Sequence, residues 1–199
     1  MGTLRYFIAV TLIVAVPAVI LYWLLIHPFV RFWRRQRKCV TYTAVCFAIV
    51  VTMIAMFQLR GFLLSSDWGT NGALVAIGLA CLAVSGWLHK LVATQLSLRV
   101  MIGIPELNCS ENKGHLITSG IYARVRHPRY LQLDLALMGY ALIANYPAGY
   151  AAFIVWLAGI RIVALLEERE LSERFGDEYS DYCRRVPRFV PRFGKRFLP

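Results

Sequence analysis

The segment GHLITSGIYARVRHPRY, from Gly114 to Tyr130, sets two glycines, two histidines, two tyrosines, three arginines and one proline between long apolar stretches. Polar groups are costly in such a place unless they line a cavity or face water. Arg126 and His127 put a fixed cation beside a group that titrates near neutral pH, on backbone that Pro128 biases toward extended geometry. The pair suits a carboxylate or a phosphate, so the segment reads as the wall of a polar ligand site at a membrane surface. An isolated Arg-His-Pro has an equal structural reading, with the arginine snorkelling to headgroups and the histidine capping a helix. Glu167 and Glu168, adjacent at the end of an apolar run, point in different directions on a helix, so one can face a site while the other meets water. Arg161 lies about two turns before Glu168 on the same face, where its simplest role is to pair with it, and Val163 shares the face of Glu167. Asp134, inside a short apolar segment, is a functional candidate whose alternative role is to partner a nearby arginine. Tyr122, Tyr130, Tyr179 and Tyr182 offer rings or hydroxyls to a purine, against the reading of ordinary interfacial tyrosines.

These residues must be positioned by membrane helices. The chain has 199 residues, of which 58% are hydrophobic and 17% charged, and its mean hydropathy is +0.56. That is too apolar for an ordinary soluble domain and marks an integral membrane protein. The net charge of +11 lies in blocks beside apolar spans with no stacking platform between them, so an anionic membrane leaflet explains it and nucleic acid does not. Cys39, Cys46, Cys81, Cys109 and Cys183 show no CxxC and no paired spacing with histidine, so neither a metal site nor a disulfide framework is expected.

Leu4 to Val30 is long enough to cross a bilayer, with Pro17 a candidate kink, and reads as a retained span rather than a signal peptide. RFWRRQRK at Arg31 to Lys38 places that loop in the cytoplasm and the N-terminus outside. Cys39 to Leu59 returns outward, Arg60 to Gly72 is a short outer loop, and Ala73 to Leu88 comes back. Ala76, Gly78, Ala80 and Gly86 on this third span would let a neighbouring helix approach closely. An amphipathic extension is expected to run on until Pro105. Leu131 to Tyr146 and Tyr150 to Leu166, joined by an Asn-Tyr-Pro-Ala-Gly turn, make a helical hairpin that leaves the membrane through Glu167 and stops at Gly176. The tail from Asp177 to Pro199 is basic and is broken by Pro187 and Pro191. The expected fold is an all-α polytopic bundle of about five transmembrane helices with a cytoplasmic cap, divided into three spans at 1–105 and a functional core at 106–199.

The order of Leu-Ile-Thr-Ser-Gly-Ile-Tyr, Arg-His-Pro-x-Tyr, a helical hairpin, EExxL, FGDEYxxY and RVPxFxP resembles the isoprenylcysteine carboxyl methyltransferase family and its phospholipid-methylating relatives. The likeness covers roughly residues 110 to 192. It implies S-adenosylmethionine (SAM) as cofactor, held at the cytoplasmic membrane surface by Gly114, His115, Leu116, Ile117, Tyr122, His127, Pro128, Arg129, Tyr130 and Glu167. Arg126, His127 and Glu167 are the expected catalytic residues; Arg161 and Asp134 are expected substrate contacts from their own positions in the spans, and solubility on the two sides of such a site leads to a lipidic or apolar methyl acceptor entering from the bilayer. Methyl transfer is an in-line displacement that needs mainly positioning and no metal.

One departure bears on the acceptor. The isoprenylcysteine enzymes carry an arginine one turn before the first glutamate of the pair, for the substrate carboxylate; this sequence has Val163 there, and Arg161 lies off that face. Poor methylation of prenylcysteines is therefore expected. The tail is also similar to the NADPH-dependent sterol reductases, through Arg126-His127, Tyr130, Asp134, Tyr182-Cys183 and Val186-Pro187. A non-enzymatic membrane scaffold is the third reading, and nothing in the sequence sets the oligomeric state.

Overall fold

A computed structural model describes residues 1–26, 28, 30–33, 36, 38–95 and 115–190. Gly114, the expected extension toward Pro105, and the tail from Pro191 onward lie outside the described residues. The described chain forms helices α1 (Gly2–Ile26), α2 (Val30–Trp33), α3 (Lys38–Gln58), α4 (Arg60–Leu63), α5 (Gly72–Ala93), α6 (Pro128–Ala144), α7 (Pro147–Phe175) and α8 (Asp177–Arg185), with a 3-10 turn at Gly120–Ala123. No strand occurs among the described residues, and the all-α bundle is as expected. Helices α1, α3, α5 and α7 are long and apolar enough to cross a membrane. The remaining member of the expected five, α6, has 17 residues, at the short limit for a span.

Local chemistry sets the boundaries. Asn71 starts α5 by accepting at its Oδ1 from the amides of Ala73 (3.0 Å) and Leu74 (3.2 Å). Proline stands at the start of both α6 and α7, where a missing N–H costs nothing. The hairpin turn is confined to Asn145, in the left-handed region at φ 55°, and the extended Tyr146. Gly176, at φ +57°, ends α7 as the sequence suggests. Helix α5 runs past Leu88 to Ala93.

Helix α1 is the hub, packing on α3, α6 and α7. Its Leu12, Val16, Ile20 and Trp23 meet Tyr130 of α6 and Trp156, Ile160 and Val163 of α7 in the main core. Arg5, a lone charge in the first span by sequence, is 4% exposed. Its Nε donates to Ala144 O (2.9 Å), its Nη1 to Thr70 Oγ1 (3.3 Å), and it forms an ion pair with Asp67. The Arg5 guanidinium holds the Asp67 carboxyl below the usual carboxylate range. Tyr146 OH also donates to Asp67 (3.2 Å), and Asn145 Nδ2 donates to Gly69 O (2.9 Å), so the loop before α5, the start of α1 and the hairpin turn are clasped together at one end of the bundle.

Helices α5 and α6 meet at a glycine pair. A Cβ on Gly78 would stand 2.8 Å from Gly139 O, and one on Gly139 would stand 2.7 Å from Gly78 O, so backbone faces backbone. Gly86, also expected at a close approach, has nothing within 4 Å of a Cβ. Gly139→Ala is therefore expected to cost about 1–3 kcal/mol by overpacking, whereas Gly86→Ala should leave stability unchanged or raise it. Thermal unfolding of the detergent-solubilised variants checks this, and equal midpoints for the two would contradict the close contact.

Candidate functional site

The opposite end of the bundle from the clasp gathers the charged residues. Helix α7 carries Glu167 and Glu168 out of the apolar core, Gly176 turns the chain, and α8 brings it back. The extended segment that follows is tied to the loop before α6: Arg126 N donates to Pro187 O (2.9 Å) and His127 N to Arg188 O (3.1 Å). Glu168 closes the assembly from below. Its Oε1 lies 3.0 Å from Arg126 Nη1, 3.0 Å from His127 Nε2 and 2.9 Å from Arg188 Nε, and its Oε2 lies 2.5 Å from Arg188 Nη2. The carboxylate next to Arg188 raises that guanidinium above its ordinary value.

His127 is 6% exposed and stands at the N-cap of α6, yet its side chain makes no capping hydrogen bond. The imidazole instead bridges the two glutamates, with Nδ1 3.5 Å from Glu167 Oε2. Tyr130 OH donates to that same Glu167 oxygen at 2.7 Å, and its ring stacks on the imidazole at 5.3 Å and 11°. Glu168 is thus saturated, while the Glu167 side chain remains 32% exposed and keeps acceptor positions for a ligand.

Above this layer Tyr179, Tyr182 and Val186 pack with Leu116, Leu171 and Phe175 as a small core of the cap. Tyr182 OH donates to Tyr122 O at 2.8 Å. Burial pushes the Tyr182 hydroxyl up to about 12 and raises those of Tyr122 and Tyr179 as well. Tyr122 lies within electrostatic reach of Glu167 and Arg129. Among the described residues, the buried Arg126 Nε has no hydrogen-bond partner. Of the other expected ligand contacts, Ile117 and Arg129 are half-buried, Pro128 is buried and His115 is exposed; the Arg129 guanidinium stands 5.9 Å over the Trp23 ring.

Arg161 is a correction to the sequence reading. It pairs with Asp134, not Glu168: Nη1 and Nη2 both donate to Asp134 Oδ2 at 3.0 Å. The Glu168 oxygens are occupied from the loop and tail side, and Asp134 of α6 faces α7 at the level of Arg161. Trp156 Nε1 holds Asp134 Oδ1 at 2.8 Å. Sequence reasoning passed over Arg188, Phe189 and Trp156. Arg188 was hidden in a run of tail arginines, and only its place between Pro187 and Pro191 distinguishes it. Phe189 lies against the His127 ring at 5.7 Å, and the Arg161 guanidinium stands 3.9 Å over the Phe189 ring.

Arg126, His127, Tyr130 and the glutamate pair fall within a segment that known proteins share, while Arg188 and Phe189 lie beyond it. A family model described as phospholipid methyltransferase matches residues 73–178. Methanethiol S-methyltransferase 2 of Bradyrhizobium diazoefficiens is 30% identical over 179 residues, covering 84% of this chain and 66% of that protein. Protein-S-isoprenylcysteine O-methyltransferase of Schizosaccharomyces pombe is 35% identical over 82 residues, 40% of this chain and 35% of that one. A delta(14)-sterol reductase of Mus musculus is 32% identical over 83 residues, but these make up only 19% of that enzyme. The chain therefore spans less than two thirds of the length of each of these relatives, and no solved structure matches it. The family match takes in more than half of the chain, from α5 through the glutamate pair of α7 into α8, and the chain belongs to the phospholipid methyltransferase family.

Proposed function

We propose that this chain is an integral-membrane methyltransferase that moves a methyl group from SAM to a lipidic or apolar acceptor. The observation that carries the reading is the buried His127 between two glutamates at the end of apolar helices, inside the matched segment. The donor set fits SAM. Glu167 retains acceptor capacity for an ammonium or for ribose hydroxyls, and Arg129 and Arg126 Nε, which has no partner among the described residues, offer cationic donors to a carboxylate. Tyr122, Leu116 and Ile117 supply apolar and aromatic surface for a purine. Gly114 and His115 complete the proposed contacts. When bound, SAM supplies an electrophilic methyl group: the nucleophile–carbon bond forms as the carbon–sulfonium bond breaks, the electron pair leaving on sulfur as a neutral thioether. His127, held by Glu168 and stacked on Tyr130, would act by fixing the Glu167 carboxylate toward the ligand.

The relatives' names put the methyl group on the sulfur of methanethiol or on an oxygen of isoprenylcysteine, which supports a sulfur or oxygen nucleophile here. A site between a membrane hairpin and a polar cap admits a water-soluble cofactor from one side and an apolar acceptor from the other. The basic residues at Arg31 to Lys38 follow α1 at this same end of the bundle, which supports a cytoplasmic site and an external N-terminus. In a cysteine-free background, a cysteine at Ser65 should be labelled from outside and one at Ser180 only from inside; the opposite pattern would reverse the orientation.

Calorimetry on solubilised protein should show binding of SAM or its demethylated product and none of NADPH, the reverse result favouring the reductase reading. His127→Ala and Glu167→Ala should each weaken SAM binding roughly tenfold to a hundredfold, for the loss of about 1.5–3 kcal/mol of charge-assisted contact. Arg185→Ala, on the exposed face of α8, should leave it unchanged. Glu168→Ala should act on stability instead, costing about 3–5 kcal/mol by leaving the buried Arg126 uncompensated, while Glu167→Ala barely moves the unfolding midpoint. Equal effects of the two glutamates on midpoint and on affinity would contradict this division of labour.

A further inference from the structure

Resting on the methyl-transfer reading, we infer that Asp134 sets acceptor selectivity: it holds Arg161 as an internal ion pair, so the acceptor side of the site takes an uncharged nucleophile such as a thiol and disfavours a carboxylate.

Arg161 and Asp134 lie on the acceptor's way in. Arg161 is on α7 about 9–10.5 Å along the helix toward the bilayer from the glutamate pair, at 1.5 Å per residue, and its side chain is 40% exposed. It connects to the cluster through one ring, since its guanidinium stands 3.9 Å over Phe189 and Phe189 stands 5.7 Å from His127. An apolar acceptor coming from lipid toward His127 therefore passes this guanidinium. A free arginine at that depth would attract a carboxylate strongly, because little water competes for it.

Arg161 is not free. Both of its terminal nitrogens donate to Asp134 Oδ2 at 3.0 Å, and one face is covered by Phe189. Asp134 is itself fixed, its side chain 11% exposed and its second oxygen held by Trp156 Nε1 at 2.8 Å. An incoming carboxylate would have to displace an anion that is already positioned, and it would meet that anion's charge while doing so. Arg126 and Arg188 are committed to Glu168, Arg129 stands over Trp23 on the proposed cofactor side, and the helix position one turn before Glu167 is the fully buried, apolar Val163. A neutral nucleophile incurs none of these penalties.

The test uses the full chain in lipid vesicles with methyl-labelled SAM and two acceptors of equal chain length, dodecanethiol and dodecanoate. The readout is the ratio of labelled methyl ester to labelled thioether, with SAM binding measured in parallel as the check on folding. Asp134→Asn removes the competing anion and unblocks Arg161, and should raise the ester share at least tenfold over the wild type. The double change Asp134→Asn with Arg161→Gln should remove that gain, and Asp134→Glu should keep the wild-type ratio. Asp134→Ala carries the same expectation as the asparagine variant should the latter fail to fold. An unchanged ratio in a folded Asp134→Asn or Asp134→Ala variant, or a gain that persists without Arg161, would overturn the inference and leave the methyltransferase reading standing. Wild-type protein that neither binds SAM nor labels either acceptor would instead remove that underlying reading.

Discussion

A single buried carboxylate organises the polar end of this membrane protein. Glu168 sits at the end of an apolar helix and receives Arg126 and His127 from the loop before α6 and Arg188 from the segment after α8. Three donors around one anion satisfy charges that would each be prohibitive alone at a membrane boundary. The same segment is held twice, by main-chain bonds from Arg126 and His127 and by the Arg188 side chain on Glu168. The catalytic-looking histidine is therefore positioned by a structural ion cluster, and the neighbouring Glu167 is left with room to bind.

The two glutamates illustrate how adjacent residues acquire different work. Helical geometry turns Glu168 toward the loop and tail, where it is 11% exposed, and turns Glu167 toward Tyr130 and the open side, where it is 32% exposed. The Asp134–Arg161 pair repeats the theme deeper in the bundle, with Trp156 and Phe189 supplying the surroundings. At the far end, Arg5 and Asp67 clasp the hairpin turn, so polar networks brace both ends of an otherwise apolar structure.

Much of this was legible in the sequence where one local signal dominates. Apolar run lengths gave the spans, Asn145-Tyr146-Pro147 gave the hairpin, and Gly176 gave the end of α7. Arg126, His127, Tyr130 and the glutamate pair stood out because polar residues between apolar runs need a reason. What was not legible depended on tertiary choice. Arg161 has Glu168 on its own helical face but finds Asp134 across the helix interface, and no spacing rule ranks these partners. Arg188 is one arginine among several, selected by the path that Pro187 imposes rather than by its type. Gly78 and Gly86 look alike in a helical pattern, yet only Gly78 meets another backbone.

The proposed reaction is methyl transfer to an apolar acceptor at a membrane surface. Incubating the protein in membranes with methyl-labelled SAM and separating the products by extraction tests that directly. The account predicts label in the organic-extractable or volatile fraction, lost with His127→Ala; label confined to water-soluble products, or transfer indifferent to His127, would contradict it.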